Sequence, residues 1–278
     1  MSKVWFVTGS NSGIGLGIAR SALAGGDRVV ATGRNMEKLR AAFAHVSSDN
    51  LELIPLDVTE ATQARSAVED AVKRYGRIDV LVNNAGYSLL GNFEEICVED
   101  LESLFQTNFY GVVNVLQAAL PVLRRQRSGH IFNVSSVAGA VGLKHCSAYS
   151  ATKFAVEGLS AAVAAEVEQF GIHVTVIEPG FFRTNLIERG SARYAKSTIA
   201  DYAHEGSAEE MWSQYDGKQP GDPFKLGEAV VKIANMEQPV KLFVAGEDAL
   251  DVVIPAVEER LKAMRENAEL SRSTAISE

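Results

Sequence analysis

Apolar residues recur along the chain in two alternating patterns, and the first consists of short, continuous runs rich in β-branched residues. Each run is about five residues long, the usual length of a strand. Continuous rather than alternating hydrophobicity is typical of parallel strands that are covered on both faces. We predict strands over residues 4–8, 28–32, 51–56, 78–82, 130–134, 173–177 and 240–244.

The second pattern is a spacing of three or four between apolar residues in the longer segments that separate these runs. Ile14, Ile18 and Ala22 show this spacing, which favours an amphipathic helix. The same spacing predicts helices over residues 13–23, 64–75, 101–123 and 149–170. Because strands and helices alternate, the expected fold class is α/β, a single Rossmann-like doubly wound parallel sheet with helices on both faces.

The periodic patterns predict one dinucleotide-binding and catalytic domain over residues 1–265. Between about residues 183 and 223 the periodicity stops, and an excursion of that length inside a domain is typical of a functional lid or of a disordered insertion. We therefore expect a substrate lid there. Residues 266–278 are polar, which indicates a flexible tail.

Composition narrows the functional classes. Apolar residues make up 46% of the chain, charged residues 22%, and the net charge of −8 argues against a nucleic-acid partner. No run of about 18 apolar residues exists, so we expect no membrane partner. Cys97 and Cys146 form no metal or disulfide pattern. The sequence thus predicts a soluble, cytoplasmic protein without a metal site.

A glycine-rich turn, TGSNSGIG at residues 8–15, separates the first predicted strand from the first helix. Glycine permits positive φ and a close ligand, and a helix N-terminus offers unpaired N–H groups to an anion. Glycine also serves turns for structural reasons alone, but this placement favours a dinucleotide pyrophosphate site. The candidate residues are Gly9, Ser10, Asn11, Ser12, Gly13, Ile14 and Gly15.

The second predicted strand ends at Thr32-Gly33-Arg34. Folds that bind a free ribose 2′-hydroxyl usually carry an acid here, about 20 residues after the glycine turn. That acid is missing, and Arg34 instead offers a fixed positive charge and a planar fork suited to a 2′-phosphate. The alternative is that Arg34 is an ordinary surface arginine.

Tyr149 and Lys153 are four residues apart and therefore share one helix face. A phenol is a poor acid or base at neutral pH, but a nearby ammonium group lowers its pKa. The pair is suited to protonating an alkoxide or deprotonating an alcohol.

Taken in order, these motifs resemble the short-chain dehydrogenase/reductase family. The matches are TGxxxGxG at 8–15, NNAG at 83–86, Ser136 followed 13 residues later by Tyr149 of YxxxK, and Pro179-Gly180. The resemblance implies hydride transfer between a nicotinamide and a carbonyl or alcohol. It also implies that Tyr149 is the acid/base, that Lys153 binds the nicotinamide ribose, and that Ser136 binds the substrate oxygen.

The same resemblance implies NADP(H) as cofactor, because Arg34 follows a non-acidic residue. It places Asn108 where the family has an asparagine that holds a water leading to the lysine. Thr184 takes the position that binds the nicotinamide carboxamide. The other cofactor-binding positions that it implies are Asp57, Val58, Asn84, Ala85, Gly86, Pro179 and Gly180.

Large apolar residues near the motifs predict a hydrophobic substrate. Leu143, Cys146 and Phe181 are candidate substrate contacts beside Ser136 and Tyr149. Further lid candidates are Phe182, Leu186, Tyr194, Met211 and Trp212. With NADPH, reduction of a ketone or aldehyde is the expected direction. The alternatives are an NAD-dependent alcohol dehydrogenase running oxidatively and a non-catalytic protein that senses NADP(H).

Small apolar residues are frequent in the long helical segments at residues 99–124 and 148–170. Small residues let helices pair closely, and in the resembling family these helices build subunit interfaces. We therefore expect a homodimer or homotetramer, and the alternative is that these helices only pack on the sheet. The small residues concerned are Ala118, Ala119, Ala155, Gly158, Ala161, Ala162, Ala164 and Ala165.

Overall fold

A seven-stranded parallel sheet forms the centre of the computed structural model, which describes residues 2–46, 49–188 and 192–276. Its strands are β1 (Val4–Val7), β2 (Arg28–Gly33), β3 (Leu51–Pro55), β4 (Val80–Asn83), β6 (Gly129–Val134), β7 (Ile172–Pro179) and β9 (Leu242–Ala245). The strand order is β3-β2-β1-β4-β6-β7-β9. The prediction of a Rossmann-like doubly wound sheet is confirmed.

Helices connect the strands and cover both faces of the sheet. They are α1 (Gly13–Ala24), α2 (Met36–Ala42), α3 (Ala61–Tyr75), α4 (Val98–Phe105), α5 (Gly111–Gln126), α6 (Val137–Ala140), α7 (Ser147–Val167), α8 (Ala208–Ser213), α9 (Pro223–Ala234), α10 (Glu247–Glu266) and α11 (Ala268–Arg272). A π-helical turn at Gln106–Tyr110 joins α4 to α5, so the helix predicted over residues 101–123 contains an irregular turn.

The alternation of side chains along β1 explains the two apolar cores. Trp5 and Val7 pack with Ile18 of α1 and Leu226 of α9 on one face. Phe6 points to the other face, where α3, α5 and α7 pack. Because both faces are covered, the strands need apolar residues at most positions, which is the continuous pattern seen in the sequence.

The predicted lid segment, residues 183–223, contains more regular structure than the sequence indicated. A two-residue strand, β8 (Arg193–Tyr194), pairs in parallel with β5 (Leu89–Leu90), and 3-10 turns occur at Asn185–Ile187 and Ala200–Glu205. Helix α8 also lies in this segment. Residues 189–191 of the predicted lid lie outside the described residues.

Helix α10 continues to Glu266 and is followed by α11, within the segment predicted to be a flexible tail. Residues 277 and 278 lie outside the described residues. Among the described helices, none combines the length and apolar character needed to cross a membrane.

Candidate active site

The carboxyl ends of β1, β4, β6 and β7 open into one cavity of about 560 Å³. The glycine turn after β1 lines one end of it, and the segment after β7 together with α8 lines the other. Such a crevice beyond the carboxyl ends of parallel strands is where open α/β sheets bind their ligands.

The end of β4 holds the glycine turn in place. Asn84 donates from Nδ2 to the carbonyls of Thr8 (3.0 Å) and Gly9 (3.1 Å), while its backbone N–H donates to Thr8 Oγ1 (2.9 Å). Gly9 has a φ of +66°, and a Cβ there would lie 2.9 Å from the Cα of Ala85. A Cβ on Gly15 would collide with the Asn84 side chain and the Gly9 carbonyl. The turn therefore requires glycine at both positions.

Most of the predicted cofactor residues line the cavity. They are Gly9, Asn11, Ser12, Gly13, Ile14, Arg34, Val58, Asn84, Ala85, Gly86, Tyr149, Lys153, Pro179, Gly180 and Thr184. Ser10, Gly15 and Asp57 do not line it. Ser10 is buried and donates to the Val7 carbonyl at 2.8 Å, and Gly15 packs beneath Asn84, so both shape the turn from behind.

Arg34 extends into solvent at the rim of the cavity. Its side chain is 66% exposed, and Nη1 lies 4.0 Å from Oδ2 of Asp57. Oδ1 of Asp57 accepts hydrogen bonds from the N–H (3.0 Å) and hydroxyl (2.7 Å) of Thr59. Asp57 thus closes the turn after β3 and lies against Arg34. An exposed ion pair at this distance contributes little to stability, so the Arg34 charge remains available to an anion.

Tyr149 and Ser136 meet on one wall of the cavity. Ser136 is the N-cap of α6, and Tyr149 lies in the first turn of α7. Burial raises the pKa of the Tyr149 phenol, while a hydrogen bond from Ser136 opposes that rise. The Ser136 hydroxyl also accepts from the Ala138 N–H at 3.1 Å, which fixes its orientation.

Lys153 lies behind Tyr149, with Nζ 5.6 Å from the centre of the phenol ring. Its ammonium group donates to the Val134 carbonyl at 2.8 Å. Burial lowers the pKa of Lys153 to about 8, and the nearby Glu157 carboxyl opposes that shift. The sequence predicts a Tyr149 pKa lowered by Lys153, whereas in this arrangement burial raises the pKa and the hydrogen bond from Ser136 is the cause that opposes the rise.

Asn108 occupies the π-helical turn and is 1% exposed. Its side chain accepts from the Tyr87 N–H (3.0 Å) and donates to the Tyr87 carbonyl (2.9 Å) and to Thr152 (3.2 Å). It is absent from the cavity lining. The side chain therefore joins the segment after β4 to the first turns of α7, and it does not reach Lys153 directly.

Two carboxyl groups that the sequence did not single out lie behind Lys153. Glu178, at the end of β7, is 4% exposed, and Glu157 follows Lys153 by one helical turn. The two carboxyl groups lie close enough to shift each other's pKa, and within the described residues Oε1 of Glu157 and Oε2 of Glu178 are buried without a hydrogen-bond partner. Burial and the neighbouring Glu157 charge raise the pKa of Glu178 to about 7. A shared proton is the expected state of two buried acids in contact.

The far end of the cavity is apolar. Leu143, Cys146 and Phe181, predicted as substrate contacts, all line it. Cys146 packs with Leu90, Ile187 and Trp212, which also line the cavity. The Phe181 ring centre lies 5.8 Å from that of Trp212 and 5.8 Å from that of Tyr215. These rings form an aromatic cluster between the segment after β7 and α8.

Some of the lid candidates lie at the cavity and others do not. Phe182, Leu186 and Trp212 line the cavity, whereas Tyr194 and Met211 do not. The Tyr194 hydroxyl donates to the Ile187 carbonyl at 2.8 Å, so this residue holds the lid together from behind. The sequence missed Asp248 and Val252, which bring the start of α10 into the lining because β9 returns the chain beside β7.

Together the sheet, the glycine turn and the Ser136–Tyr149–Lys153 wall define a Rossmann-like α/β protein with a candidate active site at the carboxyl ends of its strands. A family model described as short chain dehydrogenase matches residues 3–194. The chain belongs to this family of oxidoreductases.

Several relatives match almost the whole chain. Oxidoreductase BOA17 of Botryotinia fuckeliana is 38% identical over 276 residues, covering 99% of this chain and all of that protein. A crystal structure of a short-chain dehydrogenase from Streptomyces avermitilis superposes with a TM-score of 0.89 at 38% identity, covering 99% of both chains. ElxO with NADP bound superposes with a TM-score of 0.75 at 28% identity, covering 90% of this chain and 100% of that one.

Proposed function

We propose that this protein is an NADP(H)-dependent oxidoreductase that reduces a hydrophobic ketone or aldehyde. The observation that carries the proposal is that Ser136, Tyr149 and Lys153 meet on one wall of a cavity that has a glycine turn at one end and an apolar lining at the other. A protein that merely sensed a dinucleotide would have no use for a buried phenol, hydroxyl and ammonium beside an apolar space.

The residues at the glycine-turn end fit a phosphorylated dinucleotide. The turn leaves no room for a Cβ on Gly9, and the unpaired N–H groups at the start of α1 suit a pyrophosphate. Arg34 supplies an exposed guanidinium for a 2′-phosphate. That ElxO was crystallised with NADP supports this assignment. When bound, NADPH supplies the hydride for a carbonyl carbon.

The chain's own residues handle the proton. In the reductive direction the Tyr149 hydroxyl donates its proton to the carbonyl oxygen, and the Ser136 hydroxyl hydrogen bonds to the same oxygen as negative charge develops there. Lys153 lies close enough to the phenol for its positive charge to favour the phenolate left behind. Thr184, which lines the cavity beside Gly13, is the candidate contact for the nicotinamide carboxamide.

The substrate end favours an apolar carbonyl compound. Leu90, Leu143, Ile187 and the Phe181 ring present a surface that gains free energy by covering hydrocarbon. One relative, the 3-ketodihydrosphingosine reductase of Bacteroides thetaiotaomicron, is 34% identical over 237 residues, covering 85% of both chains. Its name describes a ketone on a long hydrocarbon chain, which supports a fatty or similarly apolar ketone here.

The cofactor assignment is tested by titrating the protein with NADPH and with NADH while following cofactor fluorescence. We expect NADPH to bind more tightly, and Arg34→Ala to weaken NADPH binding about tenfold or more while changing NADH binding little. Arg40→Ala, at the end of α2 and outside the cavity lining, is the matched control.

Equal or tighter NADH binding would contradict the role of Arg34 and direct the search toward alcohol oxidation. The substrate class is tested in parallel with a series of ketones and aldehydes of increasing apolar size. A preference for small polar carbonyl compounds would contradict the apolar assignment.

We also propose that the protein assembles as a homodimer or homotetramer through α7 and the neighbouring α5. The outer face of α7 exposes Phe154 among small residues. The small exposed residues are Gly158, Ala161, Ala162 and Ala165. Sedimentation of the wild type and of Ala162→Arg tests this, and an unchanged sedimentation coefficient would contradict it.

A further inference from the structure

Helix α10 carries an apolar stripe that no other part of the described chain covers. Its first two turns pack on α6 through Ala249 and Val253. Beyond them its side chains are exposed almost without exception. At 1.5 Å per residue, the helix is about 30 Å long, so most of its length is left in solvent.

Apart from Val252, which lies on the opposite side of the helix, the exposed apolar residues of α10 follow a regular sequence spacing of four, three, four and three. They are Leu250, Ile254, Val257, Leu261 and Met264, each between 42% and 56% exposed. At 3.6 residues per turn all five fall within an arc of about 80°. This narrow stripe, called the α10 seam below, has the spacing of a coiled-coil contact rather than of a helix that packs on a globular core.

The charges beside the seam point to its occupant. On one flank, the first half of the helix bears Glu247 and Asp251, and the second half bears Lys262 and Arg265. Lys262 also pairs with Glu266 of its own helix at 3.8 Å, but both side chains are largely exposed and that pair is weak.

We infer that the α10 seam is the contact surface for the α10 seam of a second copy of this chain, arranged antiparallel about a two-fold axis near Val257. In that register Leu250 lies opposite Met264 of the second copy, and Ile254 lies opposite its Leu261.

The same register pairs opposite charges. Asp251 faces Lys262 of the second copy, and Glu247 faces its Arg265. Because the contact is symmetric, each of these pairs occurs twice.

A parallel arrangement of the same two helices is disfavoured. It would place the flank that bears Glu247, Asp251, Lys262 and Arg265 against the opposite flank of the second copy, which carries Ala256, Arg260 and Ala263, so the attractive charge pairs would be lost. One charge disfavours the antiparallel arrangement. Glu258 lies on the same flank close to the two-fold axis, so its carboxylate approaches Glu258 of the second copy and the two repel each other. Replacing Glu258 with glutamine should therefore strengthen the association.

A lipid surface is a less suitable occupant of the seam. Interfacial helices usually present basic residues on their polar face. Helix α10 carries six acidic side chains and three basic ones. The resulting negative charge is repelled by the anionic lipids that such helices bind, whereas a second copy turns the same charges into attractive pairs.

The start of α10 also belongs to the wall of the cavity, where Asp248 and Val252 line it. Asp248 accepts a hydrogen bond from the Phe181 N–H at 2.6 Å. A partner on the seam would consequently hold the element that positions Phe181. The seam and the exposed face of α7 share no residue.

Cysteine crosslinking tests the antiparallel register directly, in a Cys97→Ser background because Cys97 is exposed and Cys146 is buried. Under mild oxidation Val257→Cys should form a covalent dimer alone. Leu250→Cys and Met264→Cys should each fail alone and crosslink when the two variants are mixed. Glu259→Cys, on the opposite side of the helix, is the control that should stay uncrosslinked.

Charge reversal gives a second readout that does not depend on thiols. In sedimentation velocity over a range of concentrations, Asp251→Lys and Lys262→Asp should each weaken self-association at least several-fold. The double variant should restore it, because the pair is then reversed rather than removed. The double variant also shows that the single changes have not simply unfolded the helix.

Three outcomes would overturn the inference. The first is that Val257→Cys stays uncrosslinked and the charge reversals leave sedimentation unchanged. The second is that Leu250→Cys and Met264→Cys crosslink alone as readily as Val257→Cys, which indicates parallel helices. The third is binding to vesicles of phosphatidylcholine and phosphatidylserine that Ile254→Asp abolishes, which assigns the seam to a lipid surface.

Discussion

The two ends of the cavity are built from different parts of the chain. At the glycine-turn end the surface is mainly backbone, held by hydrogen bonds from Asn84 to Thr8 and Gly9. At the lid end the surface is made of side chains such as Phe181, Trp212 and Leu143. A backbone surface accepts few substitutions because a Cβ has nowhere to go, whereas a side-chain surface can change its shape one residue at a time. The first end is thus suited to a constant ligand and the second to a particular substrate.

Tyr149 lies between the two ends, and its replacement is expected to have the largest effect. Tyr149→Phe removes the proton donor but keeps the ring, so turnover should fall about 10²- to 10⁴-fold while NADPH affinity changes little. Tyr75→Phe, at the end of α3 and far from the cavity, is the control. Steady-state kinetics and fluorescence titration measure the two quantities, and retained turnover would remove Tyr149 from the chemistry.

Gly15→Ala probes the backbone end. The added Cβ collides with Asn84 and the Gly9 carbonyl, so the turn must shift. We expect a loss of about 1–3 kcal/mol in the free energy of unfolding and a clear loss of NADPH affinity. Gly25→Ala, at the other end of the same helix, is the matched control, because its φ is −74° and a Cβ there makes only ordinary contacts, the nearest at 3.4 Å. Normal cofactor binding by Gly15→Ala would show that the turn tolerates movement.

Trp212→Ala probes the side-chain end. The indole packs with Leu90, Cys146 and Ile187, so its loss should raise KM for a large apolar carbonyl substrate about tenfold. NADPH affinity should stay unchanged, since Trp212 lies at the opposite end. Tyr215→Ala serves as the control, because its ring stacks on Phe181 but does not line the cavity. Equal effects of the two substitutions on KM would mean that the aromatic cluster acts only by holding the lid in shape.

This contrast also explains which parts of the molecule could be predicted from the sequence. The strands and the glycine turn were predictable because sheet burial and positive φ demand particular residue types at fixed local spacing. The motif predicts Ser10 and Gly15 on the ligand surface, whereas in the structure they support that surface from behind. The side of a turn on which a short side chain lies depends on the backbone φ of that residue. A local sequence pattern does not specify that angle, so it does not separate ligand-facing residues from supporting ones.

The lid end was less predictable because its residues come together only through the order of the strands. Asp248 and Val252 reach the cavity because β9 lies beside β7, and nothing in the local sequence around them indicates this. The Glu157–Glu178 pair has the same origin. Glu157 lies on α7 and Glu178 ends β7, and their contact depends on how that helix crosses that strand.

The smallest expected effect comes from the Glu157–Glu178 pair. It concerns the pH dependence of the free energy of unfolding and not ligand binding at either end of the cavity. In the folded protein the pKa of Glu178 is raised to about 7, so between about pH 4.5 and pH 7 the folded state binds more protons than the unfolded state. The contribution of this group to stability is therefore present at low pH and is lost as the pH rises through that window. Glu157, whose pKa is also raised by burial, changes stability in the same direction.

Glu178→Gln removes the titrating group but keeps a hydrogen-bonding side chain of the same size beside Glu157. We expect the free energy of unfolding to fall less steeply between about pH 5 and pH 7 in this variant than in the wild type, as measured by urea denaturation at several pH values. Glu237→Gln, an exposed position, should leave the wild-type slope intact. If Glu178→Gln follows the wild-type profile, the two carboxyls do not share a proton, and some other group must neutralise the pair behind Lys153.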